Sequence, residues 1–504
     1  MAVKTRVEYR EETVSLVVVS NRVSRGKANE PMTGGLAAAL LPVVEQSGAI
    51  WVGSSGRVRD GAQKEPFAEV EALGEGALAT LDLPAAHYGG YYEGFANSAL
   101  WPALHSRTDL IVASQQDYLS YREVNAFMAR ALLRFAKPDA TFWIQDYHFL
   151  ALGAELRDLG ITQPIGFFLH TPWPARAVFG GVPHHRELVE AMLACDLIGF
   201  QTSDDCENFL GYVASDLGLA VDDGVVTSRY GVTRIAVFPI GIDVDKFAVQ
   251  AAKAVSHPDV SRLRRSLNGE RLAIGVDRLD YSKGLVNRIK AFDRMWTLRP
   301  ALERAISLLQ IATPSRGGIA AYGELQSELA RLVSDVNGRH GEVDWTPIRY
   351  LNKGFGQNVL AGLYRTAQVG VVTPLHDGMN LVAKEYVAAQ NPADPGVLVL
   401  SKFAGAANEL DTALLVNPHD IDAMARTIAT AASMPLTERR MRWEAMMDKL
   451  RQHTIQQWFA DFIEALRKTR PDGVTPYRPA PEPPVSQPPT LWPLRSASGT
   501  ARYH

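Results

Sequence analysis

The chain is predicted to be an α/β protein with two doubly wound parallel sheets, on three observations. Short apolar runs recur along it, each followed by polar residues and then a helical pattern. The runs are apolar at successive positions, as in strands buried on both faces, rather than alternating. They fall into two series, parted by a polar, helical stretch near residues 240–250. The first series comprises residues 16–19, running into Ser20-Asn21-Arg22, then 142–144, 165–169, 197–200 and 235–238. The second opens at 272–276 and continues with 306–311, 347–351, 369–372 and 397–400.

The expected organisation follows. Residues 1–245 form one Rossmann-like domain and 246–450 a second, facing it across a central cleft. From Ile421 the pattern is helical nearly to Thr469, broken near Pro435. Its last segment, Trp458-Phe459-Ala460-Asp461-Phe462-Ile463, is amphipathic and aromatic, so a helix over 451–470 is expected to pack back on the first domain. Residues 471–504 are proline-rich and read as a disordered tail. Residues 24–33 read as a mobile loop.

Composition narrows the function. At 504 residues the chain is too long for one ordinary domain, and its 46% hydrophobic residues can fill two cores. A net charge of −3 with no long basic run argues against a nucleic-acid or membrane-surface role. No apolar run approaches the ~20 residues a membrane helix needs. Cys195 and Cys206 have neither metal nor redox spacing, and the first 14 residues lack the apolar centre of a signal peptide; the cytoplasm is the expected compartment.

The candidate site centres on His376-Asp377-Gly378-Met379-Asn380-Leu381-Val382-Ala383-Lys384-Glu385. An apolar strand precedes it and a run of helix formers follows. Gly378 would let the backbone approach a ligand, and the free amides of the helix start suit an anion. Asp377 suits sugar hydroxyls, and Glu385, about one turn beyond Leu381, could grip a ribose diol. The plainer alternative is a capping Asp and a solvated Glu. Other polar residues at strand ends are Arg22, Asp146, His170, Arg278, Lys283 and Arg316. Arg278 and Lys283, five apart across a turn, could share one diphosphate, or form a surface charge cluster. A lone His such as His170 is more often structural. The stretch from Tyr91-Tyr92 to Trp101 could wall a sugar or fill a core. Gly34-Gly35 opens a helix and could offer amides to phosphate, or be only a turn.

Taken in order, Ser20-Asn21-Arg22, Gly34-Gly35-Leu36, Tyr92 with Trp101, Trp143-Ile144-Gln145-Asp146-Tyr147-His148, Phe168-Leu169-His170, Arg278-Leu279-Asp280-Tyr281-Ser282-Lys283-Gly284 and the 377–386 stretch closely resemble the trehalose-6-phosphate synthases, retaining glycosyltransferases of the two-domain GT-B type. The resemblance spans roughly residues 15–465. It implies a glucose 6-phosphate site of Arg22, Tyr92, Trp101, Asp146 and Arg316. It implies a nucleotide-sugar site of Gly34, Arg278, Lys283, Phe355, Asp377, Gly378, Met379, Asn380, Leu381, Val382, Ala383, Lys384 and Glu385. His170, Arg278, Lys283 and Asp377 are the implied catalytic set. The implied reaction moves glucose from UDP-, ADP- or GDP-glucose to glucose 6-phosphate with retention, giving α,α-trehalose 6-phosphate. No protein-held cofactor or metal is implied; Mg²⁺ would travel with the nucleotide. A homo-oligomer, up to a tetramer, is expected. The rival readings are a related transferase or pseudo-glycosyltransferase with another phosphorylated acceptor, a nucleotide-sugar epimerase, and a non-catalytic sugar-phosphate sensor.

Overall fold

The computed structural model describes residues 15–23, 35–60, 66 and 68–469. The expectations for Gly34, the 24–33 loop and the 471–504 tail fall outside these residues. β1 (Leu16–Arg22), β2 (Ile50–Arg59), β3 (Glu69–Leu73), β4 (Gly76–Pro84), β5 (Thr141–Gln145), β6 (Ile165–Phe168), β7 (Leu197–Phe200), β8 (Val221–Asp222), β9 (Val225–Ser228) and β10 (Gly231–Val237) build the first sheet, in the order 3-4-2-1-5-6-7-10-9-8. From β4 to β10 all neighbours run parallel; β3, β8 and β9 add antiparallel edges. β11 (Arg271–Arg278), β12 (Ile306–Thr313), β13 (Ile348–Leu351), β14 (Val369–Val372), β15 (Val397–Ser401) and β16 (Leu414–Val416) form the second, wholly parallel sheet in the order 13-12-11-14-15-16.

Every residue of β5, β7, β14 and β15 is buried, as their unbroken apolar text requires. β2, β3, β4, β8, β9 and β16 lie outside the ten runs that read as strands in the sequence. The last four residues of β2 are exposed, and β3, β8 and β9 lie towards the sheet edges, where apolar patterning is weak. The parallel part of each sheet reverses its order once, between β1 and β5 and between β11 and β14. Such switch points leave a crevice beyond the carboxyl ends of the strands. The residues that line the cleft sit at both.

The expected break near Pro435 is joined by a second one. Helices span Ile421–Ser433, Leu436–Gln452 and Ile455–Lys468. At the second break the chain crosses back to the first domain. Thr454 caps the last helix by accepting from the Gln457 amide, and pairs with Ile242 on the outgoing crossover. The two crossovers touch so closely that a Cβ on Gly241 would lie within 1.9 Å of the His453 carbonyl. The last helix then lies on the first sheet. Phe462 is fully buried, with its ring centroid 4.7 Å from that of Trp143 and 5.1 Å from that of Phe238. Gly166 and Gly199 make this possible, since a Cβ on either would meet the Phe462 ring at under 3 Å. Among the described residues, no helix is long and apolar enough to cross a membrane.

Phe462→Ala should therefore cost about 3–5 kcal/mol, read as a lower urea midpoint at unchanged slope. A loss under about 1 kcal/mol, less than an ordinary buried aromatic contributes, would show that this helix does not join the domains.

Candidate active site in the interdomain cleft

A cavity of about 320 Å³ opens at the β11/β14 switch point, with His170 and Gln201 of the first domain on its opposite wall. β11 delivers Arg278 to it. The short turn Tyr281–Lys283 brings Lys283 round, and Gly284 (φ 64°) starts the next helix in a conformation suited to glycine. After β14 the chain runs through Asp377 to Asn380 (φ 74°), which caps helix Leu381–Ala389 by accepting from the Ala383 amide at 3.4 Å. The cap is thus Asn380 and not Asp377. The first turn, Leu381 and Val382, lines the cavity with the positive end of the helix. Phe355, Met379 and Glu385 complete this side.

Lys283 Nζ donates to Asp377 Oδ2 at 2.5 Å, and Asn380 Nδ2 donates to the same oxygen at 2.9 Å. Burial alone would raise the Asp377 carboxyl, but Lys283 outweighs it and holds the pKa below the usual value. Glu385 has no such cation. Burial pushes it up to about 7, with a hydrogen bond to Gln357 opposing. His170 is pushed down to about 3 by burial and is neutral. Its Nε2 lies 2.9 Å from Gln145 Oε1, within hydrogen-bond distance.

A second cluster faces the cavity from the β1/β5 switch point. The segment Gly89–Leu100 winds as a π-helix and carries Tyr92, then hands over to Trp101. Tyr92 stacks between Tyr88 and His148, at 5.5 and 5.8 Å. Asp146, at the end of β5, has φ 72°, a strained backbone for a non-glycine residue. Burial pushes its carboxyl up to about 6, opposed by the Tyr147 and His170 amides and by Arg278 and Arg316. Arg316, also strained at φ 48°, lies 3.8 Å over the Trp101 ring, and Arg278 lies 5.1 Å from it. Trp101 thus joins the two clusters.

Four expected site residues are placed differently. Gly378 is tight against the His170 carbonyl, 2.2 Å from where a Cβ would stand, so the close backbone approach it permits is to the other domain. Ala383 and Lys384 are fully buried and do not line the cavity. Lys384 Nζ turns inward, to Glu409 at 2.6 Å and the Ile240 carbonyl at 2.7 Å, and Glu409 also receives His453 at 3.1 Å. Both chain crossovers are thereby tied to the helix that opens the cavity. Arg22 is exposed at the end of β1, its guanidinium beneath Gly56. Burial raises the Tyr88 phenol, and the nearby Arg22 charge pulls it back. Tyr147 and Tyr322 join the Arg316 cluster by accepting from its guanidinium, and Tyr322 in turn donates to Asp280. Tyr147 lies inside a quoted motif; Tyr322, on a helix after β12, carries no sequence signal. Among the described residues, no group of three or more His, Cys, Asp or Glu is arranged to hold a metal ion.

Two α/β domains face each other across a cleft, with Arg278, Lys283 and Arg316 of the second domain gathered there and Trp101 of the first lying against Arg278 and Arg316, an architecture suited to a two-substrate transferase. The chain belongs to glycosyltransferase family 20, whose model matches residues 3–468. It is 45% identical over 454 residues to a trehalose-6-phosphate synthase of Sinorhizobium fredii, covering 90% of this chain and 98% of that one. It is similar to the crystal structure of an α,α-trehalose-phosphate synthase (UDP-forming) from Burkholderia xenovorans in complex with glucose-6-phosphate, with 43% identity, a TM-score of 0.87, and 90% and 99% of the two chains covered. It is also similar to a trehalose-6-phosphate structure from E. coli bound with UDP-2-fluoro glucose, at 39% identity and a TM-score of 0.84, over 92% and 99%. The fold is the GT-B arrangement of these relatives.

Lys384→Met should destabilise the protein by about 3–5 kcal/mol, because Glu409 would be left buried without its cation. Adding Glu409→Gln should recover part of the loss; a thermal melt in which the double variant is worse than either single would contradict this. Glu385 sets a pH dependence of the ligand-free protein. Its folded value, about 7, lies above the ordinary glutamate value of 4.5, so its contribution is intact below 4.5 and is lost as pH rises through 7. Glu385→Gln should therefore stabilise the ligand-free protein by on the order of 3 kcal/mol near pH 8 and much less near pH 5. Equal gains at both pH values would contradict the raised pKa.

Proposed function

We propose that the protein transfers glucose from a nucleoside-diphosphate glucose, UDP-glucose foremost, to glucose 6-phosphate with retention, forming α,α-trehalose 6-phosphate and the nucleoside diphosphate. The observation that carries this reading is the pairing of two cation sets of the second domain in one cleft, Arg278 with Lys283 and Arg316, with Trp101 of the first domain set against Arg278 and Arg316. The 320 Å³ cavity, with Arg278, Lys283 and the amide end of Leu381–Ala389, suits the donor diphosphate. Arg316, Tyr92 and Trp101, with Asp146 for hydroxyls, suit the acceptor, and Arg22 approaches its phosphate from the rim.

In the reaction the bond between the glucose anomeric carbon and the diphosphate oxygen breaks. The anomeric hydroxyl of glucose 6-phosphate bonds to that carbon on the same face, and its proton passes to the leaving diphosphate. Negative charge grows on the diphosphate, where Arg278 and Lys283 are already positioned. Asp377, now bonded to Lys283, gives up that partner to the diphosphate and turns to donor hydroxyls with Asn380. The neutral His170 offers no charge that would repel the developing positive sugar. Glu385 takes the ribose diol, where a carboxyl of pKa about 7 can both accept and donate. The reading places the protein in the cytoplasm, in keeping with two buried free cysteines, and takes a homo-oligomer from the family resemblance.

The test is incubation of glucose 6-phosphate with each nucleotide-glucose and identification of the product by mass and NMR. An α,α-1,1-linked disaccharide phosphate is expected; its absence with every donor would overturn the reading. Arg278→Ala and Lys283→Ala should each lower kcat by ~10²–10³-fold, and together by less than the product, because both act on one group. Near-normal turnover in either folded variant would refute their role at the leaving group.

A further inference from the structure

Asp280 has no role in the site described so far, yet it is fully buried at the centre of the acceptor cluster. Four donors converge on it. Oδ1 accepts from the Ser282 amide at 3.0 Å and from Trp101 Nε1 of the facing domain at 3.4 Å. Oδ2 accepts from Arg316 Nη1 at 2.8 Å and from the Tyr322 hydroxyl at 3.3 Å. The same Nη1 also donates to the Tyr322 oxygen at 2.8 Å, while Nη2 donates to the Tyr147 oxygen at 3.1 Å. Arg316 Nε is buried and has no partner. The guanidinium is therefore held at its Nη1 corner and stacked on one face by Trp101, and on its Nε/Nη2 edge Nε has no partner while Nη2, with two protons, bonds only Tyr147. That edge is the fork that grips a phosphate through two parallel hydrogen bonds.

We infer that Asp280 is a positioning residue for acceptor recognition. It fixes the Arg316 guanidinium and the Trp101 ring together, so that the Nε/Nη2 edge is presented to the phosphate of the sugar acceptor. The inference rests on Arg316 as the phosphate ligand in the proposed function. Asp280 does not touch the reacting atoms. It acts through Arg316 and Trp101, which come from different domains, so it also sets their relative placement when the cleft is formed. Its short side chain leaves no slack: a Glu would push the carboxylate about one methylene too far toward the guanidinium.

The test is acceptor and donor kinetics of Asp280→Asn, with UDP affinity measured by calorimetry. Asn keeps the shape and can still accept from Ser282, but it loses the charge that fixes Nη1. KM for glucose 6-phosphate should rise ~10- to 100-fold, the loss of one charge-assisted hydrogen bond. The KM for the nucleotide-glucose and the UDP Kd should change less than about twofold, a split that a general folding defect would not give. Asp280→Glu should not rescue. If Asp280→Asn is unfolded, Tyr322→Phe removes two bonds from the same corner, the one accepted from Nη1 and the one donated to Asp280, and should raise the acceptor KM by several-fold alone. Arg316→Ala is run alongside. If it leaves acceptor use unchanged, the phosphate-site reading fails. If it impairs acceptor use while Asp280→Asn does not, or lowers KM by freeing Arg316, the positioning role fails. An equal rise in donor and acceptor KM in Asp280→Asn would also overturn it.

Discussion

Buried positive charge needs a partner, and this requirement organises the cleft. Lys283, Arg316 and Lys384 all lie out of solvent around it, and an unpaired charge there would be strongly destabilising. Each has its own carboxylate: Asp377, Asp280 and Glu409. The three pairs differ in what they leave exposed. Lys384 and Glu409 face inward, and tie a helix to the chain crossovers. Lys283 and Asp377 both line the cavity, so an incoming anion can take the lysine and release the aspartate to hydroxyls. Arg316 keeps its carboxylate at one corner and holds an edge in reserve.

The same charges connect binding to domain movement. The two crossovers run side by side at Gly241 and His453-Thr454, with no space between them. Lys384 and Glu409 bring the helix that opens the cavity into that contact. Across the cleft, Trp101 and Tyr147 of one domain meet Asp280 and Arg316 of the other. Gly378 touches the His170 carbonyl. The domains are therefore pinned at the crossovers and meet again at the site. A ligand that reorders the charges at the site bears directly on how the domains close.

Much of this was legible in the sequence, for physical reasons. Buried parallel strands cannot hide, because both faces demand apolar residues; hence β5, β7, β14 and β15 stand out. Edge strands such as β3 and β8 have no such demand and leave little trace. Strand-end polar residues were legible because doubly wound sheets place ligands there; Arg278, Lys283, Asp377 and Asp146 follow that rule. The exceptions are long-range. Nothing local distinguishes Lys384, which turns inward, from Glu385, its neighbour, which faces the cavity. Nothing near Tyr322 announces that it will meet Asp280, 42 residues earlier. Gly378 reads locally as a ligand-facing glycine, and its true neighbour comes from the other domain.

The central claim is that two anionic ligands fill one cleft and share its closure. Calorimetric titration of glucose 6-phosphate into the free protein and into protein saturated with UDP tests it most directly. The account predicts tighter binding in the presence of UDP, since the first ligand meets part of the cost of bringing Trp101 and Arg316 together, and UDP binding must be tightened by the same factor. Identical affinity with and without UDP would contradict it.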